Sequence, residues 1–501
     1  MTAPSPVTPV PPVDLPATLG ALRAAGHRYR TVKQELRDNL LARMRSGADR
    51  FPGIVGYDDT VLPEVERALL AGHDLVLLGE RGQGKTRLIR SLVGLLDEWT
   101  PVIAGSVLNE HPLHPLTPAS RARVAEAGDD LPVGWLHRSM RYGEKLATPD
   151  TSVGDLIGDV DPIRIAQGRT LGDPETIHFG LVPRTNRGIF AVNELPDLAE
   201  RIQVALLNVL EERDIQVRGY QLRLPLDLFL VASANPEDYT NRGRIITPLK
   251  DRFGAEVRTH YPLDLDLELN LIRQEADLVA EVPEHVLEVL ARFARAVRES
   301  PSVDPRSGVS ARFAIAAAET VAAAALRRSG LLAAAPEVSG GELGGDPSST
   351  GGVNRGPFLS EAPVARVGDA VSVTSTLRGK VEFESGEEGR EVEILGHLLR
   401  TATAETFRAR LAGLDLSGFT ALVDDGRVIE TGELVGSADL LGQVGTVPGL
   451  AKVLDRLGLG DATSPEQAAA GVEFVLEGLH LTRRLGKDVT DSGRTRYGNR
   501  A

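Results

Sequence analysis

The 501-residue chain contains no cysteine, which excludes disulfides, thiolate metal sites and cysteine nucleophiles. Lysine is almost as scarce: of 56 basic residues only Lys33, Lys85, Lys145, Lys250, Lys380, Lys452 and Lys487 are not arginine. Positive charge is in deficit overall, with 70 acidic residues and a formal charge of −14. A surface that acidic disfavours a sequence-independent duplex binder, which needs cations to displace counterions from phosphate. No stretch approaches the ~20 apolar residues that span a bilayer. The first 16 residues, MTAPSPVTPVPPVDLP, carry six prolines and no basic residue, unlike a secretory signal. They read as a disordered, Pro-rich tail, and a cytoplasmic protein is expected.

A length of 501 residues suggests about three units at ~150 residues each. After the tail, residues 17–48 look helical, with a mixed-charge face of Lys33, Glu35, Arg37 and Asp38. From 49 to 262 short apolar runs alternate with helical stretches, the clearest strands being Leu75–Leu78, Val102–Ala104, Ile189–Val192, Leu228–Ala232 and Glu256–Tyr261. Such interleaving indicates an α/β unit with a parallel sheet covered on both faces. Residues 263–335 turn helical and end in an alanine-rich run, alanine being the best helix former. A Gly/Ser-rich flexible insertion is expected at 336–364. Two possible strands, Ala370–Ser375 and Lys380–Glu384, then precede a helix reaching Arg400, within a unit remainder of 365–400. A helical extension, 401–501, includes a β-like patch at Ala421–Glu430 and a loose C-terminal end. No internal repeat is present.

Leu75–Leu78 runs directly into Gly79-Glu80-Arg81-Gly82-Gln83-Gly84-Lys85-Thr86-Arg87 and the apolar Leu88–Leu96. This is G-x-x-x-x-G-K-T in the strand–loop–helix context of a phosphate loop. Glycines let backbone amides wrap an anion, Lys85 would reach the β- and γ-phosphates of ATP, and Thr86 would ligate Mg²⁺. The plainer reading, a glycine turn before a helix, does not need lysine and threonine at those positions. A second strand ending in acids should follow, and Gly188-Ile189-Phe190-Ala191-Val192-Asn193-Glu194 fits.

With these residues the chain resembles the AAA+ ATPases, and more narrowly the magnesium chelatase ATPase subunit and its MoxR-type relatives. Ile54-Val55-Gly56 is similar to the adenine-contacting segment; Phe179–Arg184 with Asn186-Arg187-Gly188, Ala234-Asn235-Pro236-Glu237 and Leu249-Lys250-Asp251-Arg252-Phe253 follow in family order across residues 50–330. The resemblance implies an AAA+ P-loop core with a parallel sheet, then a mainly helical lid and a mixed C-terminal extension. It implies ATP and Mg²⁺ as cofactors, Glu194 as the base that polarises water, and Asn235 as the first sensor. Arg252 would be the finger acting on a neighbouring subunit, and Arg312 the lid sensor. Taken alone, either arginine would read as a surface ion pair and Asn235 as a turn residue.

One position departs from the family pattern. Asn193 stands where an aspartate is expected, and its oxygen accepts hydrogen bonds without carrying a charge. With Thr86 it forms the expected Mg²⁺ set, weakened by that missing charge. The resemblance further implies a homo-oligomeric, hexameric ring that remodels, or drives metal insertion in, a partner carrying a von Willebrand factor A domain, with no nucleic acid or membrane involved. A nucleotide-gated scaffold that barely hydrolyses is the second reading, favoured by Asn193. A nucleic-acid motor is a third, disfavoured by charge. The long interval between Lys85 and Glu194 holds added loops (Leu108–Pro118, Arg121–Ala127, Asp155–Arg169), and Ile215–Leu224 alternates as a β-hairpin around Gly219-Tyr220. His111 and His114 form an H-x-x-H pair, but the prolines after each argue for exposed loop histidines rather than metal ligands. His73 and His178 read as ordinary loop residues.

Overall fold

A computed structural model describes residues 9–160, 177–211, 215–217, 220–222, 224–236, 244–304, 308–334, 363–424, 426–460, 464–490 and 494–499. The expected features at 1–8, 161–176 and 335–362, and Glu237, lie outside them. The chain divides into two units, residues 1–261 and 262–501.

The first unit is built on five parallel strands: β1 (Leu75–Leu78), β2 (Tyr142–Leu146), β3 (Gly188–Asn193), β4 (Leu228–Ala234) and β5 (Ala255–Arg258), in the order β5-β1-β4-β3-β2. β1 and β3 are buried along their whole length, which is why they read as unbroken apolar runs. Successive side chains of β3 divide between two cores. Ile189 and Ala191 join the helices Val32–Ser46, Val61–Ala71 and α1 (Lys85–Ser91) on one face; Phe190 and Val192 join Glu200–Glu211 on the other. The result is a three-layer α/β/α unit. Val32–Ser46 starts at a Thr31–Gln34 capping box and stops at Gly47, whose φ of 70° is the left-handed C-cap glycine adopts readily.

Two expectations are corrected here. Val102–Ala104 is not in the central sheet: Trp99–Ile103 pairs antiparallel with Val133–His137 outside it. The fifth strand is instead β2, an edge strand whose sequence YGEKL escapes an apolar pattern because an edge position can carry charge. Glu35 does not lie on a solvated face. It is buried and takes a bidentate contact from the fully buried Arg141, at 2.6 and 2.7 Å, fastening Val32–Ser46 to the base of β2. The expected hairpin is present as Ile215–Val217 against Tyr220–Leu222.

The second unit has one apolar core shared by Leu265–Glu275, Glu284–Glu299, Ala311–Ala334, Glu391–Leu411 and Pro465–Leu481. On the alanine-rich helix, Ala314, Ala317, Ala318, Val321, Ala322 and Ala325 form a fully buried stripe at helical spacing. Glu391–Leu411 runs without a break through the expected boundary at 400/401, and residues after it complete the same core as those before it.

Two possible strands are overturned in this unit. Ala370–Ser375 is mostly helix, Val371–Thr376; the hydroxyls of Ser372, Thr374 and Ser375 bond back to carbonyls three residues earlier, so the helix accommodates residues that otherwise favour strands. Lys380–Glu384 makes only an isolated bridge, Val303 to Phe383. Of the patch Ala421–Glu430, the first part belongs to the helix Ser417–Asp424 and only its end enters the strand Ile429–Thr431. The C-terminal end is not loose over its described part: Thr495–Gly498 is the middle strand of a three-stranded antiparallel sheet with Ile429–Thr431 and Gly486–Val489, and Tyr497 is buried beneath it.

Candidate functional site

Polar residues gather at the carboxyl ends of β1, β3 and β4, where parallel α/β sheets hold ligands. β1 leads into Gly79, whose amide extends the ladder to the Ala234 carbonyl at 3.1 Å. A Cβ on Gly79 would lie 2.0 Å from the Thr259 hydroxyl and 2.3 Å from Gln83 Oε1, so only glycine fits. Gly82 and Gly84 turn the loop through φ of 75° and 77°, and Gly84 caps α1. The back of the loop is fastened to the end of β5: Thr259 donates to Gln83 Oε1 at 2.7 Å, Tyr261 to the Arg81 carbonyl at 2.8 Å, and Tyr57 to the Gln83 carbonyl. Burial pushes the Tyr57 hydroxyl up to about 12, so it remains a donor.

Lys85 is buried inside this loop. Its ammonium donates to the carbonyls of Gly79 and Glu80 (the latter at 2.8 Å) and to Asn235 Oδ1 at 2.8 Å. Every one of those partners is an acceptor oxygen, the chemistry a phosphate also offers, so the donor set fits a nucleoside triphosphate. Thr86 is half-buried on the first turn of α1, while Arg81 and Arg87 are exposed. Ile54, Val55 and Gly56 are half-buried, and Arg87 comes close to the neighbouring Gly53.

At the end of β3, Asn193 is buried and Glu194 half-buried. Glu194 sits at φ 56°, ψ 46°, a left-handed conformation that costs a non-glycine residue about 1–3 kcal/mol and concentrates at functional sites. Ser233, on the adjoining β4, donates to Asn193 Oδ1 at 3.1 Å and accepts from the Glu194 amide at 3.3 Å. The Asn193 amide donates to Glu144 Oε1 on β2 at 2.6 Å. Glu144 also receives Arg90 of α1, at 2.9 and 3.1 Å, and the Tyr142 hydroxyl at 3.0 Å. Burial works to raise the Glu144 carboxyl, but these donors outweigh it and hold the group below its usual range. Neither Ser233 nor Glu144 was legible as a site residue, because both act across strands. Thr86, Asn193 and Glu144 offer oxygen ligands of the kind Mg²⁺ takes.

The structure therefore brings Lys85, Asn235, Asn193 and Glu194 to one sheet edge. Arg252 is exposed at the end of the helix Thr247–Arg252. Arg312 belongs to the second unit and is exposed at the second residue of Ala311–Ala334, beside the buried Phe313. Lys250, scarce by type, faces Glu256 at 3.2 Å on the surface.

The histidines correct an expectation. His111 is not exposed: it is buried, stacks on His27 with Nε2 atoms 3.1 Å apart, and accepts the Leu113 amide at Nδ1. Burial foremost, then Arg187, pushes its pKa down to about 3. His114 does stay exposed, against the Tyr29 ring. His178 lies on the strand Ile177–Phe179 rather than in a loop. Among the described residues no group of three or more His, Asp or Glu side chains could hold a metal ion by itself, and no helix is long and apolar enough to cross a membrane.

No protein-family profile matches the chain. It is similar to magnesium-chelatase subunit ChlI-1 of Arabidopsis thaliana, at 30% identity over 233 residues covering 45% of this chain and 51% of that protein. It is also similar to subunit ChlI of Nostoc sp. strain PCC 7120, at 27% over 239 residues, 46% and 60% respectively. The chain thus spans about half the length of the curated relatives it matches. Among solved structures, a complex of magnesium-chelatase subunits BchI and BchD aligns at 24% identity and TM-score 0.34 over 57% of this chain and 88% of that one. NtrX from Brucella abortus in complex with ADP aligns at 14% and 0.36 over 74% and 65%. Over a little under half its length this chain is similar in sequence to magnesium-chelatase subunits ChlI, and its first unit is a parallel-sheet α/β core that carries a phosphate-loop motif.

Proposed function

We propose that the chain binds and hydrolyses ATP at the β1/β3/β4 edge. The observation that carries this reading is the buried Lys85 ammonium held among acceptor oxygens, with only β4 between its strand and the one that ends at Glu194. Gly79 to Arg87 cradle the phosphates and Ile54-Val55-Gly56 receives the adenine. Thr86 and Asn193 would hold Mg²⁺, which when bound would supply neutralisation of the phosphate charge. Glu194 takes the proton of the attacking water, and Asn235 orients the γ-phosphate or that water. Arg252, exposed and permanently charged, serves the site of a neighbouring copy in a hexameric ring; Arg312 serves as the lid sensor. The ring remodels a partner bearing a von Willebrand factor A domain, in the cytoplasm, with metal insertion as the most specific version. The test is subunit mixing: Arg252→Ala chains doped into wild type should lower ATP turnover more steeply than dilution, whereas proportional loss would remove the shared site.

A further inference from the structure

The carboxylate missing at position 193 has a counterpart on the next strand. β2 pairs with β3 in parallel register, Glu144 beside Ala191 and Leu146 beside Asn193. Alternation puts Glu144, Ala191 and Asn193 on one face of the sheet, and Ala191 packs there with Leu88, Ile89 and Leu92 at the phosphate-loop helix. Arg90, which holds Glu144, lies one turn after Thr86 on that helix, so the two share a face. A chain of contacts therefore runs from α1 through Arg90, Glu144, Asn193 and Ser233 to the Glu194 amide.

The chemistry of residue 193 is matched to this neighbour. Its amide nitrogen faces the Glu144 carboxylate at 2.6 Å and its oxygen faces a hydroxyl. An aspartate there would set two carboxylates against each other at that distance, where like charges cannot both ionise comfortably. Glu144 keeps 21% of its side chain exposed, and the Arg90 side chain that balances it is 63% exposed, so the carboxylate is not sealed off from a second cation.

We propose that Glu144 supplies, from the adjoining strand, the negative charge that the family pattern places at position 193, so that an Asn193–Glu144 pair positions the Mg²⁺-nucleotide in place of a single aspartate. This rests on the nucleotide-binding reading above and names a positioning residue for that site. Asn193 is then part of a relocated acidic motif, not a lesion in one.

The experiment measures binding of a slowly hydrolysed ATP analogue to the full chain, with Mg²⁺ and with EDTA, by isothermal titration. In wild type Mg²⁺ should tighten binding about tenfold or more, an ordinary coupling between two ligands. Glu144→Gln should reduce that coupling to about twofold or less, leaving Mg²⁺-free affinity nearly unchanged. The exchange variant Glu144→Gln/Asn193→Asp, which moves the charge back across the strands, should restore most of it. Wild-type coupling in Glu144→Gln, or an exchange variant no better than Glu144→Gln, overturns the proposal. If Glu144→Gln does not fold, the exchange variant decides alone: coupling near wild type supports relocation and its loss refutes it. A wild type that binds no nucleotide at all would remove the underlying reading as well, whereas binding with unaltered coupling removes only this inference.

Discussion

Buried charge serves one end in both units and a second end only where the parallel strands of the first unit finish. In 262–501, Arg328 grips Asp369 at 3.0 and 3.1 Å and Arg298 grips Glu268 at 2.6 and 2.7 Å, each closing helical elements over one another. In 1–261, Glu35–Arg141 and Arg187–Asp227 do the same for the N-terminal helices. The sheet edge of that unit is different. There the Lys85 ammonium donates to the backbone carbonyls of Gly79 and Glu80 and to the Asn235 amide oxygen, acceptors whose chemistry a phosphate reproduces. An ion pair between helices holds the fold, while an ammonium donating to several acceptor oxygens at the ends of parallel strands has the chemistry that meets a phosphate.

The sharpest way to break this comparison is to remove one partner from a locked pair in each unit. Glu35→Ala and Arg328→Ala should each cost about 3–5 kcal/mol, because each strands a buried charge. Both tryptophans, Trp99 and Trp135, lie in the first unit, so their fluorescence follows its unfolding in urea while far-ultraviolet circular dichroism follows both units. Glu35→Ala should shift the fluorescence transition, and Arg328→Ala should act chiefly on the dichroism transition. Identical shifts in both signals for both variants would dissolve the distinction.

A smaller effect concerns pH. Burial foremost, then Arg410, holds His285 of the second unit down to about 3, as burial and Arg187 hold His111 in the first. Both are neutral when folded and recover a pKa near 6.5 when unfolded, so unfolding takes up protons as pH falls. Stability should therefore be whole above about 6.5 and decline toward pH 3, by up to ~1.4 kcal/mol per pH unit for each histidine. Between pH 7 and 5, His285→Leu should flatten the fall of the dichroism midpoint; a slope equal to wild type would place the proton uptake elsewhere. The smallest effect is expected at Lys250→Ala, which removes an exposed pair with Glu256 and should change stability by less than about 1 kcal/mol in the same urea titration. A loss of several kcal/mol would mean that surface pairs carry what is assigned here to buried ones.

What could be read from the sequence follows the same division between local and cross-chain partners. β1, the glycine loop, β3 and β4 are contiguous and fully buried or tightly turned, so their residues carry the pattern without outside help. β2 was not legible, since an edge strand with Glu144 and Lys145 looks like any polar stretch. Asn193 read as a deficit for the same reason: its partner is 49 residues away in sequence. Glu35 and His111 looked solvated because Arg141 and His27, which cover them, are likewise distant. In the second unit the β-branched run near Val371 suggested a strand, but hydroxyl-to-carbonyl bonds and packing on the alanine-rich helix decided otherwise.

ATP turnover by the full chain with Mg²⁺, for wild type beside Lys85→Ala and Glu194→Gln, is the most direct test of catalysis at this site. Wild type should hydrolyse ATP; Glu194→Gln should bind the nucleotide but turn it over about 10²–10⁴-fold more slowly, as befits loss of a general base. Lys85→Ala should lose both binding and turnover. Equal turnover in wild type and Glu194→Gln, or undiminished ATP binding by Lys85→Ala, would contradict the assignment of catalysis to this sheet edge.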